Sequence, residues 1–493
     1  MTGTHFQEAE EEETTDIGPL IDSLKCYIKR CPNEILFAVA DYLYLEDQLD
    51  LCLVSRLFKY IGQDRIYREI QLRRPLDSYV KTIPCLLRTP SSQPHLAKIV
   101  KSLQIFPISR EVQFDLADFL SMPFGALSLL PAESYFINEP ILTGYLLTLL
   151  RGLRRLDIGV YLDPYDRNED DDPYEEPWEV VYQPVSHPLS HLFGREMGDK
   201  DLHAIPGLQN LRELCFRGQR VQWEWLTLPL QRIHLYDKAY IMSPADGSVR
   251  ASKTLKSIEV DIHCSILMPQ SRDFDWLPAT LRKVDNLEEF EIGFGHGNSI
   301  YGYRSRPTRT QYGHGDILVK SMATASSTLN FLLALPVEED DMSYLDYIEP
   351  VTNLRHFTKL KHVAICQDIL LGKQYEQSNS APITSMLPPN LQRLEIWYPT
   401  VAAVTRWLQQ LLALFNGGYL TSLEEISIHA GTCRGDDYEK FSYTKHMFPI
   451  WDQICDAGIN VGIYVSDGYL NPDWEDEEYD PLALDIVQHL TLE

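Results

Sequence analysis

Leu391-Gln-Arg-Leu394-Glu-Ile396 and Leu423-Glu-Glu-Ile426-Ser-Ile428 carry the pattern that decides the fold of this 493-residue chain. In each, an apolar residue is followed three positions on by a second, and two positions later by a third. The last two share one face of a short strand, because successive strand side chains point to opposite faces. The first anchors the approach to the strand. A single strand of this size cannot bury its apolar face. Parallel copies can do so together, with helices or loops as crossovers.

The unit recurs along most of the chain. Earlier copies are Val100-Lys-Ser-Leu103-Gln-Ile105, Leu153-Arg-Arg-Leu156-Asp-Ile158, Leu211-Arg-Glu-Leu214-Cys-Phe216 and Leu230-Gln-Arg-Ile233-His-Leu235. Leu255-Lys-Ser-Ile258-Glu-Val260, Leu287-Glu-Glu-Phe290-Glu-Ile292 and Leu360-Lys-His-Val363-Ala-Ile365 follow. A last strand, Ile459 to Val465, closes the series. Helical periodicity predicts crossovers over 317–335 (Leu318, Met322, Leu329, Leu333) and 401–415 (Val404, Leu408, Leu411, Leu412). Pro388, Pro389 and Pro229 mark helix-to-strand corners, since proline resists continuing a helix. The unit resembles a leucine-rich repeat in the irregular form of fungal F-box proteins. The spacing between units departs from a regular repeat, and the usual Asn after the strand is replaced by Gly159, Arg217 and Trp397 in three of them.

A different pattern occupies 31–70, CPNEILFAVADYLYLEDQLDLCLVSRLFKYIGQDRIYREI. Pro32 suits the start of a helix. Ile35, Leu36, Val39 and Leu43 form one apolar face, Leu51, Val54, Leu57 and Phe58 a second, and Ile66 with Ile70 a third. Glu46 and Asp47 are read as the break between the first two. Three short helices in so few residues make a marginal bundle whose apolar residues invite a partner. The segment resembles an F-box, whose pattern runs from Leu-Pro-x-Glu-Ile-Leu through an Asp to Leu-Val-Ser-Arg-x-Phe. Pro32, Glu34, Ile35, Leu36, Val39, Leu43, Asp47, Leu51, Leu53, Val54, Ser55, Arg56 and Phe58 stand at the matching positions. Cys31 replaces the leading Leu, and Gln48 replaces the Leu after the Asp.

The resemblance implies an α/β chain with an N-terminal three-helix F-box (19–75) and an irregular leucine-rich-repeat solenoid with a parallel sheet (76–470). An acidic tail (1–18) and an acidic C-terminal segment (471–493) flank them. It implies a substrate adaptor of an SCF-type ubiquitin ligase, not an enzyme, with no cofactor. A Skp-type linker subunit would contact Pro32, Ile35, Leu36, Val39, Leu43, Leu51, Val54 and Phe58, and cullin would join through it. Some of those eight must instead form the bundle's own core. The repeats would bind an unknown protein target, with Trp223, Trp225, Trp397 and Tyr398 as aromatic anchors or as buried packing. An F-box scaffold acting without cullin or ubiquitination is the alternative.

Composition narrows the classes. Net charge is −27, from 71 acidic and 44 basic residues, which disfavours nucleic acid or anionic membrane as partner. Nine scattered cysteines with no CxxC point away from a disulfide framework or zinc module, and towards cytosol or nucleus. No apolar run reaches the roughly 18–20 residues a membrane span needs, and the acidic start is unlike a signal peptide. There is no GxGxxG, P-loop, HExxH or GxSxG. His187 and His191 have helical ligand spacing, but Pro188 between them favours a loop and no metal is expected. A Gly/Tyr/Arg-rich stretch over 293–316, including His296 and His314, and acidic runs over 161–177, 338–341 and 473–480 read as surface insertions.

Overall fold

Each of the nine recurring units falls on a strand, and each strand starts at the third residue of its unit. The computed structural model describes residues 31–72, 82–109, 138–162, 185, 187–218, 220–236, 239–242, 250–263, 276–295, 313–336, 348–349, 351, 353–371, 386–430 and 449–465. The two terminal segments, most of the acidic insertion at 161–177, the run at 338–341 and the core of the Gly/Tyr/Arg-rich stretch lie outside these residues.

The chain is mixed α/β, built on one large sheet of twelve strands: β1 (Glu69–Leu72), β2 (Ser102–Ile105), β3 (Arg155–Ile158), β4 (Glu213–Arg217), β5 (Arg232–Tyr236), β6 (Ser257–His263), β7 (Glu289–Gly295), β8 (Phe331–Pro336), β9 (His362–Cys366), β10 (Arg393–Trp397), β11 (Glu425–Ala430) and β12 (Asn460–Val465). The strands lie side by side in chain order. From β2 to β12 every adjacent pair is parallel. Parallel neighbours need a crossover each. Helices supply several, among them Glu139–Leu149, Trp276–Leu281, Gly315–Met322 and Val401–Asn416.

Register explains why the unit recurs. Leu103, Leu156, Leu214, Ile233, Ile258, Phe290, Leu332, Val363, Leu394, Ile426 and Val461 pair in one continuous row across the sheet. A second row runs from Ile105 and Ile158 to Ile428 and Ile463. Both rows are buried. The intervening residues point to the other, more polar face of the sheet. There the row reads Gln104, Asp157, Cys215, His234, Glu259, Glu291, Leu333, Ala364, Glu395, Ser427 and Gly462.

Two expectations need correction. The helix expected over 317–335 stops at Met322, and Phe331–Pro336 is a strand. Leu329, Leu332 and Ala334 supply that strand's copy of the unit, with Ala in the last slot. The break expected at Glu46 and Asp47 is instead the first turn of a helix, where carboxylates favour the positive end of the helix dipole. Helix Val401–Asn416 forms where the periodicity places it.

By internal contacts the chain divides into two units, Met1–Ile70 and Gln71–Glu493. The first contains α1 (Asn33–Asp41), α2 (Leu45–Val54) and α3 (Arg56–Arg68). Cys31, Cys52, Cys215, Cys366 and Cys455 take part in no disulfide. Among the described residues no helix is long and apolar enough to cross a membrane.

Candidate protein-interaction surfaces

Three helices as short as α1–α3 cannot enclose much. Their core is Leu36, Ala40 and Ile61, with Phe37, Leu51 and Phe58 packed against it. Polar contacts hold the helices in place. Ser55 ends α2 and caps α3, its Oγ accepting from the Phe58 N–H at 3.3 Å. The Gln48 side-chain amide donates to the carbonyls of Ala40 (3.2 Å) and Leu43 (2.9 Å), satisfying acceptors that the end of α1 leaves open. Arg65 donates to the Phe37 carbonyl at 3.0 Å and pairs with Asp41, so α3 grips α1. Gln48, a departure from the motif, therefore has its own structural use.

The eight residues singled out for a partner divide. Leu36, 9% exposed, belongs to the core, and Leu51 and Phe58 pack on it. Leu43 is half-buried. Pro32, Ile35, Val39 and Val54 are exposed. Further large apolar or aromatic side chains of the same unit stand exposed: Tyr42, Tyr44, Leu45, Leu49, Leu53, Leu57 and Tyr60. Leu53 is 85% exposed. Leu53 stands at a motif position and Leu57 on the second apolar stripe, whereas Tyr42, Tyr44, Leu45, Leu49 and Tyr60 lie off both and give a weak sequence signal. An exposed apolar surface this dense on so small a unit is characteristic of a binding face. Ile70 is not part of a third helix, since α3 ends at Arg68 and β1 takes over.

The four aromatic anchors also separate. Trp223, 2% exposed, and Trp225, fully buried, sit on a 3-10 turn (Trp223–Thr227), and Trp225 packs edge-on against Phe216. They are core residues and have no surface to offer. Tyr398 is buried at a left-handed backbone position (φ 54°), its N–H donating to the His429 carbonyl at 2.9 Å. Trp397 is the half-buried one, on the polar face. Its ring lies flat on His429, centroids 3.9 Å apart, and His429 stacks in turn on Tyr464 at 4.9 Å. Three adjacent strands thus present a row of rings.

Charge fills much of the rest of this face. Glu395 faces His362 at 2.8 Å, Arg393 at 2.9 Å and His429 at 3.5 Å. Burial would push its carboxyl up, but hydrogen bonds from His362 and His429 and the Arg393 charge hold it far below the usual carboxylate range. His234 stands between Glu213, 3.2 Å away, and Glu259. Burial opposes its charge, yet those two carboxylates raise its pKa to about 9. Glu291 has its pKa raised by burial and by Glu259 beside it.

His187 and His191 do lie at one helix, against the loop expectation: His187 precedes Pro188, which opens Pro188–Phe193. Burial and then the nearby His187 lower the His191 pKa. The donor atoms that gather closely among the described residues are instead those of Glu213, Cys215 and His234. His314 lies in the short strand Gly313–His314, and His296 is outside the described residues.

No protein-family model matches the chain, and a search of curated proteins returns no match.

Proposed function

We propose that the chain is the substrate-recognition adaptor of an SCF-type ubiquitin ligase. The N-terminal helical unit binds a Skp-type linker subunit, which carries cullin. The sheet unit holds an unidentified protein target. The observation that carries this reading is the exposed apolar surface of α1–α3, centred on Ile35, Val39, Leu53 and Val54, in a segment with F-box spacing. Burying such residues against a partner is worth roughly 1.5–3 kcal/mol each. That is enough for a few of them to sustain a stable complex.

The polar face of the sheet supports the target half of the reading. It combines a half-buried Trp on a row of rings with ordered carboxylates, imidazoles and guanidiniums. Aromatic anchors beside fixed polar groups are the usual make-up of a recognition surface. The test is co-purification of the full chain with a Skp-type linker and cullin. Recovery of both fits an adaptor of the ligase. Recovery of the linker without cullin selects the scaffold alternative, and recovery of neither removes both.

A further inference from the structure

We infer that Glu213, Cys215 and His234 form a zinc-binding site on the polar face of the sheet. Glu213 and Cys215 are two apart on β4 and so share a face. His234 on β5 is the cross-strand neighbour of Cys215. Their donor atoms, one carboxylate oxygen, Sγ and one ring nitrogen, all lie within 4.8 Å of one another. Oxygen, sulfur and imidazole nitrogen are the donor set zinc takes. A tetrahedral ion with bonds of 2.0–2.3 Å needs donors about 3.3–3.8 Å apart, so a closure of about 1 Å suffices.

A second observation points the same way. His234 is buried, and its Nε2 has no aligned hydrogen bond, although it faces Glu213 at 3.2 Å. The other ring nitrogen, Nδ1, is held by the Glu259 carboxylate on β6, with the Tyr236 hydroxyl 3.3 Å away. A carboxylate behind a histidine is what fixes the tautomer and orientation of a metal-ligating ring. Nε2 is thereby turned towards Glu213.

Two groups oppose the ion, and both can yield. Arg155 shares Glu213 at 3.5 Å, but its side chain is half exposed and has water to move into. The Cys215 thiol is kept protonated by burial and by Asp157 and Glu213. Coordination replaces that proton and the one on Nε2, and both pass to solvent. Three protein donors leave the fourth position of a tetrahedral ion for water or for a donor from a bound partner. The inference stands on the sheet register and does not rest on the adaptor reading.

Cobalt(II) reads this site directly. Titrated into the reduced, chelator-treated full chain, Co2+ should give a near-ultraviolet sulfur-to-cobalt charge-transfer band that saturates at one equivalent and is bleached by Zn2+. Cys215→Ser should lose the band. Cys366→Ser, at a second buried cysteine of the same face, should keep it. His234→Gln should weaken cobalt binding at least about tenfold, and Glu259→Gln about 10- to 100-fold. No band at millimolar cobalt, or a band that survives Cys215→Ser, overturns the inference. Should Cys215→Ser fail to fold, His234→Gln carries the test, and an unchanged affinity there overturns it equally.

Discussion

Glu395 shows how a single side chain can tie the polar face of the sheet to pH. Its carboxyl, linked to His362, His429 and Arg393, has a depressed folded-state pKa, whereas an unfolded Glu titrates near ~4.3. A depressed carboxylate contributes stability that is present above the unfolded pKa and lost as pH falls through the folded one. Urea midpoints should therefore decline from about pH 5 downward, and Glu395→Gln should flatten that decline while lowering stability at neutral pH. A Glu395→Gln variant with the wild-type acid profile would show that the network does not set it. Leu36 and Val54 make a second residue-scale contrast. Leu36→Ala opens the helical core and should cost about 2–5 kcal/mol by denaturant unfolding. Val54→Asp touches an exposed residue and should stay within about 0.5 kcal/mol. Loss of linker binding in Val54→Asp then reports on the surface, whereas loss in a Leu36 variant reports on folding.

At the scale of elements, the helix Glu139–Leu149 is the most constrained. Ten of its residues are buried, and Asn138 caps its start by accepting from the Ile141 N–H at 3.0 Å. A Cβ on Gly144 would meet the Leu192 carbonyl oxygen at 1.9 Å, where the helix Pro188–Phe193 crosses it. Gly144→Ala should cost at least about 2 kcal/mol in equilibrium unfolding, since backbone has to move to admit it. A neutral result would mean that the two helices do not approach so closely. This scale also separates what the sequence discloses from what it hides. The strand units are legible because their pattern is local: three apolar positions decide a strand and its inward face. Strand β8 is not, because Phe331-Leu-Leu-Ala-Leu-Pro336 is apolar on both faces and its run fits a helix equally well. The start of α3 is missed because Ser55 interrupts an apolar stripe that otherwise reads straight through Val54, Leu57 and Phe58. Trp223 and Trp225 resemble anchors in sequence, and only the turn that folds them under the sheet shows them to be core. The grouping of Glu213, Cys215, His234 and Glu259 depends on register between three strands, which no spacing along the chain reveals.

For the whole molecule, the two units divide the labour. The sheet unit is closed on its apolar side by crossovers and keeps polar and aromatic groups on the other. The helical unit keeps apolar residues outside. Nearly all the large apolar side chains that stand exposed among the described residues belong to it. Such an arrangement is stable when a partner covers those residues, and the partner proposed for them is a Skp-type linker. The acidic balance of the chain, −27, adds that a target should be neutral or basic, with affinity that weakens as salt rises. The measurement that bears most directly on the central claim is calorimetric titration of a purified Skp-type linker into the full chain and into the double variant Ile35→Asp, Val54→Asp. The account predicts saturable one-to-one binding to the wild type, and at least a hundredfold loss in the variant at unchanged unfolding stability. No heat with the wild-type chain, or equal affinity for both proteins, would contradict it.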